Sequence, residues 1–293
     1  MKRNLRFLIF YKTVLLLCCM PLLGLSQSGK SIRFTSAFAP FPDSARANGH
    51  LYQGKAYPVK DHYSDSSVFI YIPSKFKPGK QLELVVWFHG WHNNIDSALR
   101  FFKLVEQFEA SGRNALFIFP EGPKNAPDSY GGKLESKGYF DAFIKDILLQ
   151  LVNAKVLNKK NKPLLENCSI SLAGHSGAYR VISKIIQYAK IEELILFDAW
   201  YGGNEAYLNW MAANQGNRFL AIYTKDGGTL ENTRMNMKQI QDSLKLSIID
   251  LNEAALTTKI LQTNKRVFIY SNQSHNGVIR FQNNWKVFLK YRN

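Results

Sequence analysis

Cysteine, acidic side chains and long apolar runs are all scarce in this chain of 293 residues. Of its three cysteines, Cys18 and Cys19 lie in the N-terminal leader and only Cys168 lies beyond it. That excludes a disulfide framework for the remainder and a cysteine-rich metal site. The longest apolar stretch, Thr13–Leu25, has 13 residues, short of the roughly 20 a spanning helix needs. Preceded by Lys2, Arg3 and Arg6 and ended by Gly24-Leu25-Ser26, it reads as a signal peptide over residues 1–26. The expectation is an exported protein, periplasmic or secreted, with no stable membrane insertion after cleavage. Leu15-Leu16-Leu17 before Cys18 is unlike the small residues of a lipoprotein signal.

Acids are few, 22 against 38 Lys and Arg. Loss of the leader takes away four basic groups and no acid, leaving a net charge of about +12. The basic residues are scattered, and no zinc-ligand, helix-turn-helix or RNP-like pattern accompanies them, so no nucleic-acid partner is expected. Internal repeats and polar linkers are also lacking. Residues 27–293 are therefore read as one domain, with 27–66 as an N-terminal extension packed on it. Apolar strand-like runs at Val68–Ile72, Leu82–Phe88, Ala115–Phe119, Glu193–Phe197, Arg218–Tyr223 and Arg266–Tyr270 alternate with helical patterns at Ile95–Ser111, Gly138–Ala154 and, for the most part, Glu231–Leu261. That alternation predicts an α/β fold with a mostly parallel central sheet flanked by helices on both faces.

The most informative stretch is Gly174-His175-Ser176-Gly177-Ala178. It follows the apolar run Ser169–Ala173 and precedes a helical face of Val181, Ile182, Ile185, Ile186 and Ala189. A serine at the apex of a strand–turn–helix needs small neighbours, because the two backbones approach closely there. Ala178 stands where a second glycine is usual, a departure of one methyl group.

Other chemistry-bearing residues fall at the ends of predicted strands. Phe88-His89-Gly90-Trp91 ends one, Asp198 and Asp226 directly follow two later ones, and His275 lies five residues beyond Tyr270. A serine nucleophile needs a base, and His275 is the only histidine after Ser176. The base needs a carboxylate, Asp198 or Asp226. Asp198 is preferred, since an aspartate flush with an apolar strand end is costly unless it is paired. Asp226, in a glycine-rich turn, stays open as the alternative. The N–H groups of Trp91 and Gly177 are the natural oxyanion donors. His89, Gly90, Trp200 and Tyr201 neighbour these motifs and are the expected substrate-binding residues. His89 and His92 have a metal-like spacing, but with no cysteine and no carboxylate except Asp96 nearby, neither metal nor cofactor is expected.

In the His-Gly pair before the first crossover helix, the G-H-S-G elbow and the order Ser, Asp, His, the chain resembles the α/β-hydrolase superfamily. Pro120-Glu121-Gly122 resembles its esterase branch. The resemblance spans nearly all of residues 27–293. It implies an α/β-hydrolase fold with Ser176 as nucleophile, His275 as base, and Gly177 and Trp91 as oxyanion donors. The implied activity is carboxylic ester hydrolysis through an acyl-enzyme, on a small-molecule or polymer-attached ester. The alternatives are an amidase or peptidase with the same triad, and a non-catalytic polymer-binding protein.

Overall fold

Strand-forming runs of alternating or continuous apolar residues build the centre of the molecule, seen here in a computed structural model that describes residues 29–79, 81–158 and 168–290. The leader expected over 1–26 lies outside the described residues. The strands are β1 (Lys30–Thr35), β2 (His50–Tyr52), β3 (Lys55–Tyr57), β4 (Ser67–Ile72), β5 (Leu82–Phe88), β6 (Leu116–Pro120), β7 (Cys168–His175), β8 (Glu193–Phe197), β9 (Arg218–Thr224), β10 (Ile249–Asn252) and β11 (Arg266–Ser271). Nine of them form one sheet in the order β1-β4-β6-β5-β7-β8-β9-β11-β10, while β2 and β3 form a separate hairpin. Within the sheet only β4 runs against its neighbours, so the other eight strands direct their C-terminal ends to one edge.

The two-residue period of the strands divides the core. Leu82, Leu84, Val86 and Phe88 of β5 face one layer, whereas Val85 and Trp87 face the other. The first layer is covered by α3 (Tyr139–Asn153), α4 (Tyr179–Ile185), α5 (Asn204–Ala213) and α6 (Leu230–Asp242). The second is covered by α1 (Ile95–Phe102), α2 (Leu104–Ser111) and α7 (Asn284–Lys290), with Phe108, Trp285 and Phe288 packed on the sheet. Burial on both faces is what continuous apolar strands require. Among the described residues no helix is long and apolar enough to cross a membrane.

Two local expectations are corrected. The helical pattern of Ile95–Ser111 is two helices, because Lys103 adopts a left-handed conformation with φ 49° and resets the axis. The stretch Glu231–Leu261 is helical only to Asp242 in its first part, and Ile249–Asn252 then pairs in parallel with β11 as an edge strand. Its half-buried Ile249 and Leu251 alternate with Asp250 and Asn252, a two-residue period too short to stand out against the helical surroundings. Before β4, Lys55–Tyr57 pairs antiparallel with His50–Tyr52 in the β2–β3 hairpin.

The segment before β4 folds over the loop after β6. Phe41, Tyr57 and Tyr63 bury together with Ala126, and Arg46 pairs with Asp128 at 2.7 Å. Tyr130 donates to Asp43 at 2.9 Å. The Tyr52 ring meets Trp91 edge-on at 5.2 Å, which brings the hairpin to the rim of the C-terminal strand edge.

At the opposite end of the sheet, Glu193 is fully buried at the start of β8. It is held by Arg113 at 2.8 Å, Arg218 at 2.5 Å and the Ser171 hydroxyl at 2.7 Å. Glu193→Ala would remove the buried carboxylate that two buried guanidinium groups share, so a loss of about 3–5 kcal/mol of unfolding free energy is expected in urea titrations.

Candidate active site

Strand β7 ends at His175, and Ser176 occupies the apex of a sharp turn with φ 57°, opening the single helical turn Ser176–Ala178 that leads into α4. A non-glycine residue with positive φ is uncommon and signals strain held by its surroundings. Close packing explains the flanking sequence. A Cβ at Gly174 would sit 2.5 Å from the Ala178 Cβ and 2.9 Å from Ile182 Cδ1. The methyl group of Ala178 is therefore accommodated, and it is Gly174 that must lack a side chain. Gly90 is under the same constraint, since a Cβ there would lie 2.6 Å from the Ser176 Cβ. Its place is beneath the serine, as a close-approach residue.

His89 is buried below this loop, and its expected role in contacting substrate is corrected. Its Nδ1 lies 2.7 Å from the Gly90 carbonyl, which can only accept, so Nδ1 carries hydrogen. Nε2 faces Glu121 Oε1 at 3.0 Å and Gly122 N at 3.1 Å. Glu121 also accepts the Ile95 N–H at the start of α1, at 3.2 Å. Glu121 and His89 thus brace the turn that carries Gly90 and Trp91. His92 is exposed and does not converge with His89. Asn94 caps α1 by accepting the Ser97 N–H at 2.9 Å. Among the described residues no group of three or more metal-ligating side chains occurs.

His275 is held at three points. Its Nδ1 lies 2.7 Å from Asp198 Oδ2, its backbone N–H donates to Asp226 Oδ2 at 2.8 Å, and its carbonyl accepts from His175 Nε2 at 3.0 Å. The two candidate aspartates therefore do different things. Asp198 faces the imidazole, whereas Asp226 fixes the backbone of the loop. With Nδ1–H directed at a carboxylate, Nε2 is left as the acceptor nitrogen.

Asp198 is fully buried at the end of β8, with φ 45°. The Thr224 N–H at 3.0 Å, the Thr224 hydroxyl at 2.7 Å and the Thr229 hydroxyl all donate to it. Burial pushes its carboxyl up, but the hydrogen bonds from His275, Thr229 and Thr224 outweigh that and hold it below the ordinary carboxylate value. Gly227 completes the packing. A Cβ there would overlap Asp198 Oδ2 and lie 2.5 Å from His275 Nδ1.

His175 stacks on His275 with ring centroids 4.4 Å apart. Burial and the neighbouring His275 hold it neutral, with a pKa lowered to about 3. Between that value and its unfolded pKa near 6.5 the unfolded chain binds the extra proton, so stability is fully present above pH 6.5 and falls as pH drops. At pH 5 this group alone is expected to cost about 2 kcal/mol, read as a lowered urea midpoint relative to pH 7.5. His175→Gln keeps a donor for the His275 carbonyl and is expected to flatten that pH dependence.

Above Ser176 opens a cleft of about 290 Å³ lined by Trp91, Ser129, Ser176, Gly177, Tyr179 and Tyr201. Trp91, 42% exposed, donates its indole N–H to Ser129 Oγ at 2.7 Å, and a Cβ at Gly177 would meet its ring at 2.7 Å. Trp91 and Gly177 therefore flank the same point beside the serine. Tyr201 donates to the Gly227 carbonyl at 2.5 Å and stands beside His275, with ring centroids 6.3 Å apart.

Trp200, also expected at the pocket wall, is instead 1% exposed and packs against Tyr207, Phe219 and Phe268. Adjacent residues after a strand end point to opposite sides, and only Tyr201 faces the cleft. The sequence reading did not find Ser129, Tyr179, Thr224 or Thr229. Tyr179 had a signal in its position at the start of the helix after the elbow. The other three sit in loops or at a strand end, where no periodicity marks them.

The mostly parallel sheet and its flanking helices recur in solved structures. A mutant of the feruloyl esterase module from Clostridium thermocellum complexed with sinapinate superimposes with a TM-score of 0.54 at 11% identity, covering 90% of this chain and 88% of that one. A structure described as a ferulic acid esterase superimposes with a TM-score of 0.50 at 10% identity, covering 90% of this chain and 98% of that one. The chain has the α/β-hydrolase fold. No protein-family model matches the sequence, and no curated protein matches it. At this level of identity the likeness fixes the fold alone.

Proposed function

We propose that this protein is an exported serine hydrolase that cleaves carboxylic esters through a triad of Ser176, His275 and Asp198. The observation that carries the reading is the buried Asp198 bonded to His275 Nδ1 at 2.7 Å, on the strand edge that presents Ser176 at φ 57°. In this mechanism His275 Nε2 takes the Ser176 proton as Oγ attacks the ester carbonyl, forming a C–O bond while the carbonyl π pair moves to oxygen. The N–H groups of Trp91 and Gly177 receive that oxyanion, at about 3–4 kcal/mol each. His275 then protonates the departing alcohol. Water, deprotonated by the same imidazole, attacks the acyl-serine and releases the acid and free Ser176. Asp198 stays ionised throughout, which its position among four donors favours.

Two things support an ester over an amide. Two solved structures of similar architecture are described as feruloyl and ferulic acid esterases. The cleft is walled by Trp91, Tyr179 and Tyr201, which suits a flat, apolar acyl group more than a peptide strand needing backbone partners. Export rests on the leader at 1–26. The substrate is a small-molecule or polymer-attached ester, and no cofactor enters the scheme. Chromogenic esters and anilides of matched aromatic and short aliphatic acids test this. The expected result is turnover of the esters, with aromatic acyl groups preferred, and its loss in Ser176→Ala. Turnover of anilides as fast as esters would contradict the ester assignment.

A further inference from the structure

Trp91 forms a wall between two openings. Beyond its other side, next to the acyl cleft, lies a groove of about 580 Å³ lined by Arg100, Phe101, Asn276 and Arg280 among others. Asn276 directly follows His275 in the chain. In the esterase reading, on which this inference rests, the leaving alcohol oxygen must lie beside His275 to be protonated. The groove is therefore where the rest of the alcohol would go, while Trp91, Tyr179 and Tyr201 surround the acyl side.

The chemistry of the groove is one-sided. None of its lining residues is acidic, and both arginines are exposed. Among the described residues neither guanidinium is ion-paired. Asp96 feels the charge of Arg100, but its carboxylate is already engaged by Arg33 at 2.5 and 3.2 Å. Arg280 lies over the Phe101 ring at 4.9 Å, which occupies one face of the guanidinium and leaves its N–H rim for an acceptor. Two cationic forks and an exposed aromatic ring beside the leaving-group position suit an oxyanion on a compact, ring-bearing alcohol.

We propose that this groove is an alcohol-side subsite, and that the preferred substrates carry a carboxylate or phosphate on the leaving alcohol. Arg100 and Arg280 are specificity-determining residues in this proposal.

The test uses butyrate esters of 3-hydroxybenzoate, of 3-hydroxyphenyl phosphate and of the neutral 3-hydroxybenzamide. At low salt, kcat/KM for at least one anionic ester is expected to exceed that for the neutral ester by about tenfold. Which of the two anions is preferred distinguishes a carboxylate source from a phosphate source. The ratio of anionic to neutral kcat/KM is expected to fall towards one in Arg100→Gln/Arg280→Gln. A wild-type ratio of one or below, or a ratio unchanged in the double variant, overturns the proposal. Calorimetric binding of the same esters to Ser176→Ala separates this outcome from failure of the esterase reading. Arginine-dependent preference for an anionic ester without turnover by the wild type upholds the subsite and refutes the hydrolase. Turnover without preference refutes the subsite alone.

Discussion

Asp198→Asn is expected to lower kcat for ester hydrolysis by about 10⁴-fold while leaving the fold intact. In the proposed mechanism the carboxylate holds His275 in the tautomer whose Nε2 accepts the serine proton, and it offsets the positive charge the imidazole gains. An asparagine keeps the volume but offers one acceptor oxygen. The Thr224 N–H and the two threonine hydroxyls already donate to this position. The amide NH₂ would then face His275 and force the hydrogen onto Nε2. Asp226→Asn provides the contrast. Its amide oxygen can still accept the His275 N–H, so a loss of no more than about tenfold is expected, in the range of one exposed hydrogen bond. Steady-state kinetics on a chromogenic ester decide between them. A large loss in Asp226→Asn with near-normal Asp198→Asn would reverse the assignment.

Gly227→Ala is expected to cost about 10²-fold or more in kcat through geometry alone, with Ser176, His275 and Asp198 all unchanged. The new methyl group would overlap Asp198 Oδ2 and crowd His275 Nδ1, so one of the two must move away from the other. The Gly227 carbonyl also receives the Tyr201 hydroxyl, and its N–H donates to Thr224 Oγ1 at 2.7 Å, which limits how far the backbone can yield. Gly216→Ala is a suitable control, since nothing lies within 4 Å of a Cβ there. If Gly227→Ala kept full activity, the Asp198–His275 contact would not be what sets the rate.

The elbow was legible in the sequence because its chemistry is local. Gly174 and Gly90 are small for steric reasons that act within a few ångströms of Ser176, and such constraints leave a short motif. His275 stands out by elimination, as the one histidine downstream, and its ring lies against Asp198. Asp198 followed from the cost of an unpaired carboxylate at an apolar strand end, and the structure places donors on it from three residues. What stayed hidden depended on the direction of side chains in irregular segments. Trp200 and Tyr201 are adjacent and chemically similar, yet one fills the core and the other faces the cleft. Whether Glu121 would be more than part of a turn motif depended on where α1 begins. The break at Lys103 and the edge strand Ile249–Asn252 escaped for a related reason, because a single left-handed residue or two alternating apolar positions barely change the pattern.

The central claim is that Ser176 is a nucleophile activated by His275. The most direct measurement is labelling of the folded protein by a fluorophosphonate, with the modified peptide located by mass spectrometry. Stoichiometric modification at Ser176, abolished in Ser176→Ala and strongly slowed in His275→Ala, is the predicted result. A folded protein that stays unlabelled at Ser176, or labels equally fast without His275, would contradict it.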